Sequence, residues 1–512
     1  MHLKSVERVL LLLLTQASTG SCQKHIVQVP ATGPSETLRP VDLSFTGFAF
    51  EQASFYNYSF LSGKPNVFSQ NLIDSVLSRT GGTPILRVGG TSGDHGRYDA
   101  SQDNATNYPA TIYKPRTSIS EDRLSIGPSF FEAFNNWPGA KFEFMVPFRD
   151  TDFSRSVQWA KAGLNQIGVH NLYTLEIGNE PNFYPWFSVD EYVERYRQLQ
   201  ARLIAAIPSL GDKRIFQAFD TAANFADDLT SKDAFEAGLN KNATTIKQAA
   251  YHYYQGHGIS LEGLQDWIRH TTTMHNLTKF TPNIDYLNTN HPAIGFAFTE
   301  TGYNVAGGGE EAIKPNNLAT ALWAVDFQLA AMAVGVRRVT WQQILRSSLN
   351  MWIPVRSTFS EPKVTANFYS QPFVADFIGK SGETRVMQLD VGSPNQGLYV
   401  AYAAYDAGKL SRIALLNLEI WHSGEGDNRA RPQISFSLQG LPERISQATI
   451  HHLTAEKGAL AQDNLTYSGF EWTYESRGKQ SKVKSDSKVL AVNGGNVDVV
   501  VKGTQAVLVE LA

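Results

Sequence analysis

From about Val41 to Gly379 the chain alternates short, β-prone apolar runs with longer stretches whose apolar residues recur every three to four positions. Eight short runs stand out, at 43–50, 84–88, 142–148, 173–177, 214–218, 249–254, 294–299 and 337–341. The helical period between them is clearest over 189–207, where Tyr192, Tyr196, Leu199 and Leu203 share one stripe, and over 318–334. Strands alternating with helices predict a parallel sheet joined by crossovers, and eight such units predict a (β/α)8 TIM barrel over residues 41–379.

Beyond Gly379 the pattern changes to β-prone runs broken by Gly, Asn and Pro, at 398–405, 411–418, 433–438, 447–453 and 497–511. No amphipathic helix stands out there, so residues 380–512 are expected to form a C-terminal antiparallel β-sandwich. The segment 23–40 is expected to add a strand to it. The fold class is therefore α/β, a barrel followed by a sandwich.

Lys4 and Arg8 precede the run Val9 to Leu14, and small residues follow through Ser21, the layout of a signal peptide over residues 1–22. That run is too short to span a bilayer, so a secreted, extracellular protein with no membrane association after cleavage is expected. Cleavage after Cys22 would remove the one cysteine; a chain of 512 residues buries enough apolar surface to need no disulfide. Sequons at Asn57, Asn104, Asn242, Asn276 and Asn464 fit a glycosylating route. With 45 basic and 48 acidic residues the formal charge is -3, which supplies no global field for nucleic acid. Arg477, Lys479, Lys482, Lys484 and Lys488 lie among Ser, Gly and Asp and read as a solvated loop.

The strand ends carry the chemistry. Leu175-Glu176-Ile177-Gly178-Asn179-Glu180-Pro181 reads as a barrel strand delivering an Asn-Glu pair to the face where barrel active sites gather. Ile294 to Glu300 repeats the design, followed by the expected loop Thr301-Gly302-Tyr303-Asn304. Two strand-end carboxyls suit glycoside cleavage, in which one protonates the leaving oxygen while the other attacks or activates water at the anomeric carbon, with no metal or cofactor required. Other polar groups at strand ends are Glu51, Thr91, Asp94, Arg149, Asp150, His252, Tyr254, Gln342 and Gln343. A general acid must hold a proton near working pH while the nucleophile stays ionised, so donors are expected around Glu300 from Tyr253, Tyr254 or His252. Asn179 is expected to donate to the sugar 2-hydroxyl, and Glu176, inside its strand, to be a structural ion-pair partner. The Gly307-Gly308-Gly309 triplet can bring backbone N–H groups against an anion.

Taken together, Leu86-Arg87-Val88-Gly89-Gly90-Thr91, Gly178 to Asn182, His252-Tyr253-Tyr254, Glu300-Thr301, the triple glycine and Gln343 resemble, in order, the landmarks of glycoside hydrolase family 79, the family of heparanase and of microbial and fungal β-glucuronidases. The resemblance covers most of the chain. It implies Glu180 as acid/base and Glu300 as nucleophile of a retaining β-glucuronidase, with Glu51, Thr91, Asn179, His252, Tyr254, Gly308, Gly309 and Gln343 against a glucuronic-acid-containing glycan. Family members hold the uronate with the glycine-rich loop and a tyrosine after the eighth strand; here that stretch reads Leu349-Asn350-Met351-Trp352, leaving Tyr303 to supply the hydroxyl or a neutral sugar as the substrate. No basic, cleavable insert lies between Phe50 and Pro84, which favours a single-chain, exo-acting enzyme over the heparanase arrangement.

Overall fold

A computed structural model describes residues 23–35, 38–107, 124–150, 152–222, 228–240, 244–257, 263–305, 316–345, 349–356, 360–392, 396–424 and 429–512. Eight parallel strands close into a barrel in chain order: Thr46–Glu51, Ile85–Gly89, Lys141–Val146, Leu172–Ile177, Phe216–Thr221, Ile246–His257, Gly295–Val305 and Arg338–Gln343. Each overlaps one of the eight runs read from the sequence. The helices Val189–Ala206 and Leu318–Ala333 likewise fall on the two clearest periodic stretches.

Apolar strand positions face outward and alternate positions face in, because successive side chains on a strand point to opposite faces. The outward set, including Phe48, Leu86, Phe144, Leu175 and Phe298, is buried. The inward set mixes small or apolar residues, such as Ala49, Met145 and Ala250, with several polar ones. Gln248 on the sixth strand donates to Glu143 on the third at 2.9 Å, a bond that must cross the barrel interior, and also to Gln217 on the fifth at 2.9 Å. Thr174 donates to the same Gln217 oxygen at 2.9 Å. Barrel interiors are commonly packed with branched apolar side chains; this one carries hydrogen-bonded polar side chains below the C-terminal ends of its strands.

In the C-terminal domain Thr384–Leu389, Tyr399–Asp406, Lys409–Asn417, Gln505–Leu511 and Gln447–Ala455 lie side by side in one large antiparallel sheet. A second sheet of three strands sets Gln23–Gln28 parallel to Gln433–Gln439, which pairs antiparallel with Val497–Lys502. Val27, Phe436 and Val499 from the small sheet meet Leu415 and Val507 from the large one in a separate core. Two details differ from the sequence reading. The run at 497–511 is two strands, broken at Gly503-Thr504 where Thr504 turns left-handed at φ 54. The basic stretch is not a loop, since Gln480–Lys482 and Lys488–Ala491 are strands, although Arg477, Lys479, Lys482, Lys484 and Lys488 are all exposed. Among the described residues no helix is long and apolar enough to cross a membrane.

Candidate active site

Glu180 and Glu300 converge at the C-terminal mouth of the barrel. Glu180 leaves the fourth strand in a left-handed conformation, φ 52 and ψ 56, and its N–H donates to the Asp220 carbonyl at 2.9 Å. A one-turn helix, Pro181–Phe183, then carries the chain away. Glu300 is aimed by an irregularity in the seventh strand: Phe298 pairs with Tyr251 and Glu300 with His252, so Thr299 is skipped. Such a bulge re-aims a side chain, and here it lets both Thr299 and the following Glu300 face the interior. The side chains of Glu180 and Glu300 are 22% and 10% exposed, enough for both to reach a ligand from inside one cleft.

Arg87 organises the floor of this cleft. Its fully buried guanidinium donates to both oxygens of Glu176, at 2.9 and 2.6 Å, to Glu300 Oε2 at 2.7 Å and to Asn179 Oδ1 at 2.7 Å. An unpaired charge at this depth would be costly, and the planar fork of arginine suits this paired geometry. Tyr254 donates to Glu300 Oε1 at 2.5 Å. His252 Nδ1 lies 3.0 Å from Glu180 Oε1 and 3.9 Å from Glu300 Oε2. Burial pushes the Glu300 carboxyl up, but the opposing effects of His252, Arg87 and the Tyr254 hydroxyl outweigh it and hold the group below the usual glutamate range.

A third carboxyl closes the cleft. Glu51 ends the first strand, accepts the Ser92 N–H at 2.7 Å, and has the Gln342 amide 3.5 Å away. Its pKa is raised, first by burial and next by the charge of Glu300. Gly90 makes this approach possible: it sits at φ 95, and a Cβ there would come within 2.1 Å of Glu51 Oε2. Beside it, Asn179 Nδ2 reaches Thr91 Oγ1 at 3.4 Å. Asp94, in the same one-turn helix as Thr91, binds the Phe148 N–H at 2.8 Å, and burial raises its pKa to about 7. Glu180, His252 and Glu300 also bring one donor atom each within 4.8 Å of one another, a spacing that could ligate a metal ion. The Arg87 cation already sits against one Glu300 oxygen, which opposes a second positive charge there.

Residues 401–508 match the model of the glycosyl hydrolase family 79 C-terminal beta domain. Curated relatives span the whole architecture: a beta-glucuronidase of Aspergillus niger is 27% identical, with 93% of this chain and 91% of that one covered, and a beta-glucuronidase of Neurospora crassa is 26% identical, with 88% of each covered. The C-terminal domain is that of glycoside hydrolase family 79, and the chain over most of its length is similar to beta-glucuronidases. Among solved structures, this glycosidase superimposes on a 4-O-alpha-L-rhamnosyl-beta-D-glucuronidase of Fusarium oxysporum with a TM-score of 0.77 at 20% identity, covering 95% of this chain and all of that one. A family 51 alpha-L-arabinofuranosidase of Bifidobacterium longum shares the fold at TM-score 0.62 and 14% identity, covering 95% and 99% of the two chains.

Of the site residues expected from sequence, the structure gathers Glu51, Thr91, Asn179, Glu180, His252, Tyr254 and Glu300 at the cleft. Tyr254 donates to Glu300, as expected of the donors around that group, while His252 is fully buried, bonds to Glu180 and stands 3.9 Å from Glu300. Tyr303 and Gln343 lie outside the cleft because they occupy outward strand positions. Tyr303 packs against Trp323 at 5.2 Å between ring centroids, and its buried hydroxyl has no hydrogen-bond partner among the described residues. Gln343 instead accepts the Met351 N–H at 3.1 Å, while its neighbour Gln342 faces Glu51. Thr301 to Asn304 is not a loop; the seventh strand runs on to Val305, paired with the sixth through His257. Met351 is fully buried and offers the cleft no hydroxyl. Gly308 and Gly309 lie outside the described residues. Sequence reasoning misses Arg87 as a site member and assigns Gln343 where Gln342, named beside it at the strand end, takes the place; a polar side chain in strand register with Glu51 and Glu176 is the available signal.

Proposed function

We propose that this glycosidase is a secreted, retaining exo-β-glucuronidase that removes terminal glucuronic acid, or its 4-O-methyl form, from glycans. The observation that carries the mechanism is the proximity of the two cleft carboxylates, with an oxygen of Glu180 within 4.8 Å of an oxygen of Glu300. Retaining enzymes set their carboxyls about 5–5.5 Å apart and inverting ones about 6.5–9.5 Å, to leave room for water. Glu300, kept ionised by Arg87 and Tyr254, attacks the anomeric carbon while Glu180 protonates the leaving oxygen. Glu180 then takes a proton from water, which releases the sugar and frees Glu300. Asn179, oriented by Arg87, offers its amide nitrogen to the 2-hydroxyl, a contact that strengthens as the oxocarbenium-like transition state forms.

The uronate reading is supported by the Aspergillus and Neurospora beta-glucuronidases. A neutral sugar is the second reading, favoured by the buried Met351 and the outward Tyr303, neither of which presents a hydroxyl to a carboxylate. Aryl β-D-glucuronide, glucoside, galactoside and xyloside separate the two. Turnover of the glucuronide alone, lost in Glu180→Gln and Glu300→Gln, is expected; release from a neutral glycoside would replace the substrate and keep the mechanism. The first-formed anomer, read by proton NMR, is expected to be β, and an α product would end the retaining assignment. Secretion rests on the leader at 1–22, and a culture supernatant lacking the protein would refute it.

A further inference from the structure

The fifth strand ends in a backbone conformation that nothing in the reaction scheme uses. Phe219 and Asp220 both have positive φ, 82 and 45, where side chains beyond glycine are strained. Surrounding bonds impose this: the Tyr192 hydroxyl accepts the Phe219 N–H at 2.8 Å, the Tyr196 hydroxyl donates to the Gln217 carbonyl at 2.9 Å, and Asn182 Oδ1 accepts the Ala222 N–H at 3.1 Å. Strain of about 1–3 kcal/mol per such residue persists where a functional geometry is held by its surroundings.

The kink does two things at once. It turns the Asp220 carbonyl to accept the Glu180 N–H at 2.9 Å, which helps hold Glu180 in its own left-handed conformation. It also places Asp220 Oδ1 3.0 Å from the Thr299 hydroxyl, at the position skipped in the strand pairing just before Glu300, while Gln217 donates to the same oxygen at 2.6 Å. We propose that Asp220 is a positioning residue that ties the two catalytic glutamates together, its main chain holding the acid/base and its side chain holding the bulge that aims the nucleophile. Asp220 touches no substrate in this scheme; it acts through Glu180 and through Thr299. Its other oxygen, Oδ2, is buried without a hydrogen-bond partner among the described residues, which suits a neutral carboxyl. Burial, followed by the charge of Glu176, raises the Asp220 pKa in the same sense. What the site needs from Asp220 is therefore an acceptor in the right place rather than a negative charge.

The inference rests on the Glu180–Glu300 assignment, and the test separates the two. Turnover is measured on a nitrophenyl and a dinitrophenyl glycoside of whichever sugar the wild type cleaves; the dinitrophenolate leaves without protonation, so its release reports on the nucleophile. Loss of both activities in Glu300→Gln establishes the pair, and full activity in that variant would overturn the pair and the role of Asp220 with it. Asp220→Ala is expected to lower kcat about 10- to 100-fold on both substrates with KM within about twofold, the size of effect that a small displacement of a reacting group produces. Asp220→Asn keeps the acceptor and is expected to stay within about twofold of wild type, a rescue that loss of charge alone would not allow. Thr299→Val removes the hydroxyl at constant shape and is expected to cost about tenfold, with the Asp220→Ala, Thr299→Val double variant no worse than Asp220→Ala, because the two act on one contact. Wild-type kcat in Asp220→Ala, or equal impairment in Asp220→Asn and Asp220→Ala, would overturn the proposal. If Asp220→Ala does not fold, Thr299→Val decides: unchanged kcat rejects the tie between Asp220 and the nucleophile.

Discussion

At the scale of single residues, Arg87 bears the most. It donates to three partners from a fully buried position, so Arg87→Lys, which has one point charge in place of a planar fork, cannot satisfy Glu176, Glu300 and Asn179 together. Arg87→Ala is expected to destabilise the fold by about 3–5 kcal/mol, since removing one partner leaves buried carboxylates uncompensated. Arg87→Lys is expected to keep more of the stability yet lose kcat, which a thermal melt beside steady-state kinetics would resolve. Tyr254 bears on pH. Glu300 is held below the ordinary glutamate range, so the acid limb of kcat/KM is expected below that range, with activity lost as pH falls and Glu300 takes up a proton. Tyr254→Phe removes a donor to the ionised form, and the limb is expected to move upward; an unmoved limb would assign it to another group. Glu180 and Glu300 were legible in the sequence because each ends a β-prone apolar run, at the point where a barrel strand meets the catalytic face. Arg87 was not, because an arginine inside a strand reads as one half of an ion pair until its four bonds are seen.

At the scale of elements, strands were read well and their irregularities poorly. All eight barrel runs declared themselves through apolar outward residues, while the bulge at Thr299 and the kink at Phe219-Asp220 depend on partners from other strands. The same limit explains Gln343 and Gln342. A one-residue change of register flips a side chain to the other face, and only the pairing of the eighth strand with the first settles which glutamine faces the cleft. The helix Leu318–Ala333, one of the two clearest periodic stretches, is buried through Met332, and its start is fixed by a cap: Asn317 accepts the Thr320 N–H at 3.1 Å while the Thr320 hydroxyl accepts the Asn317 N–H at 3.1 Å. Asn317→Ala is expected to cost about 1–2 kcal/mol of stability by chemical denaturation without changing kcat. A loss of activity at full stability would show that the helix start reaches the cleft.

At the scale of the whole molecule, barrel and sandwich are joined by a polar cluster of buried His270, Asp326 and Tyr402 with the more exposed Gln388. His270 Nδ1 pairs with Asp326 at 3.0 Å, its Nε2 lies 2.8 Å from the Gln388 amide, and Tyr402 donates to Asp326 at 2.6 Å. Burial lowers the His270 pKa, but Asp326 and Gln388 more than reverse this and the net shift is upward. A histidine whose folded pKa exceeds its unfolded value lends stability that is complete below the unfolded pKa and is lost as pH rises through the folded one. The melting temperature is therefore expected to decline on the alkaline side of the ordinary histidine range, and His270→Gln to lose that portion of the slope, worth about 1 °C per kcal/mol for a chain of 512 residues. A slope unchanged in His270→Gln would place the titration elsewhere. The sequence by itself determined the barrel, the sandwich, and the two glutamates at the mouths of the fourth and seventh strands, since each depends on local alternation and on the few residues after a strand. Only the tertiary structure decided which polar side chains meet in the cleft, that Arg87 joins Glu176 to Glu300, and that Tyr303 and Gln343 turn away. Those outcomes depend on register and closure among strands far apart in the chain, and no local pattern encodes them.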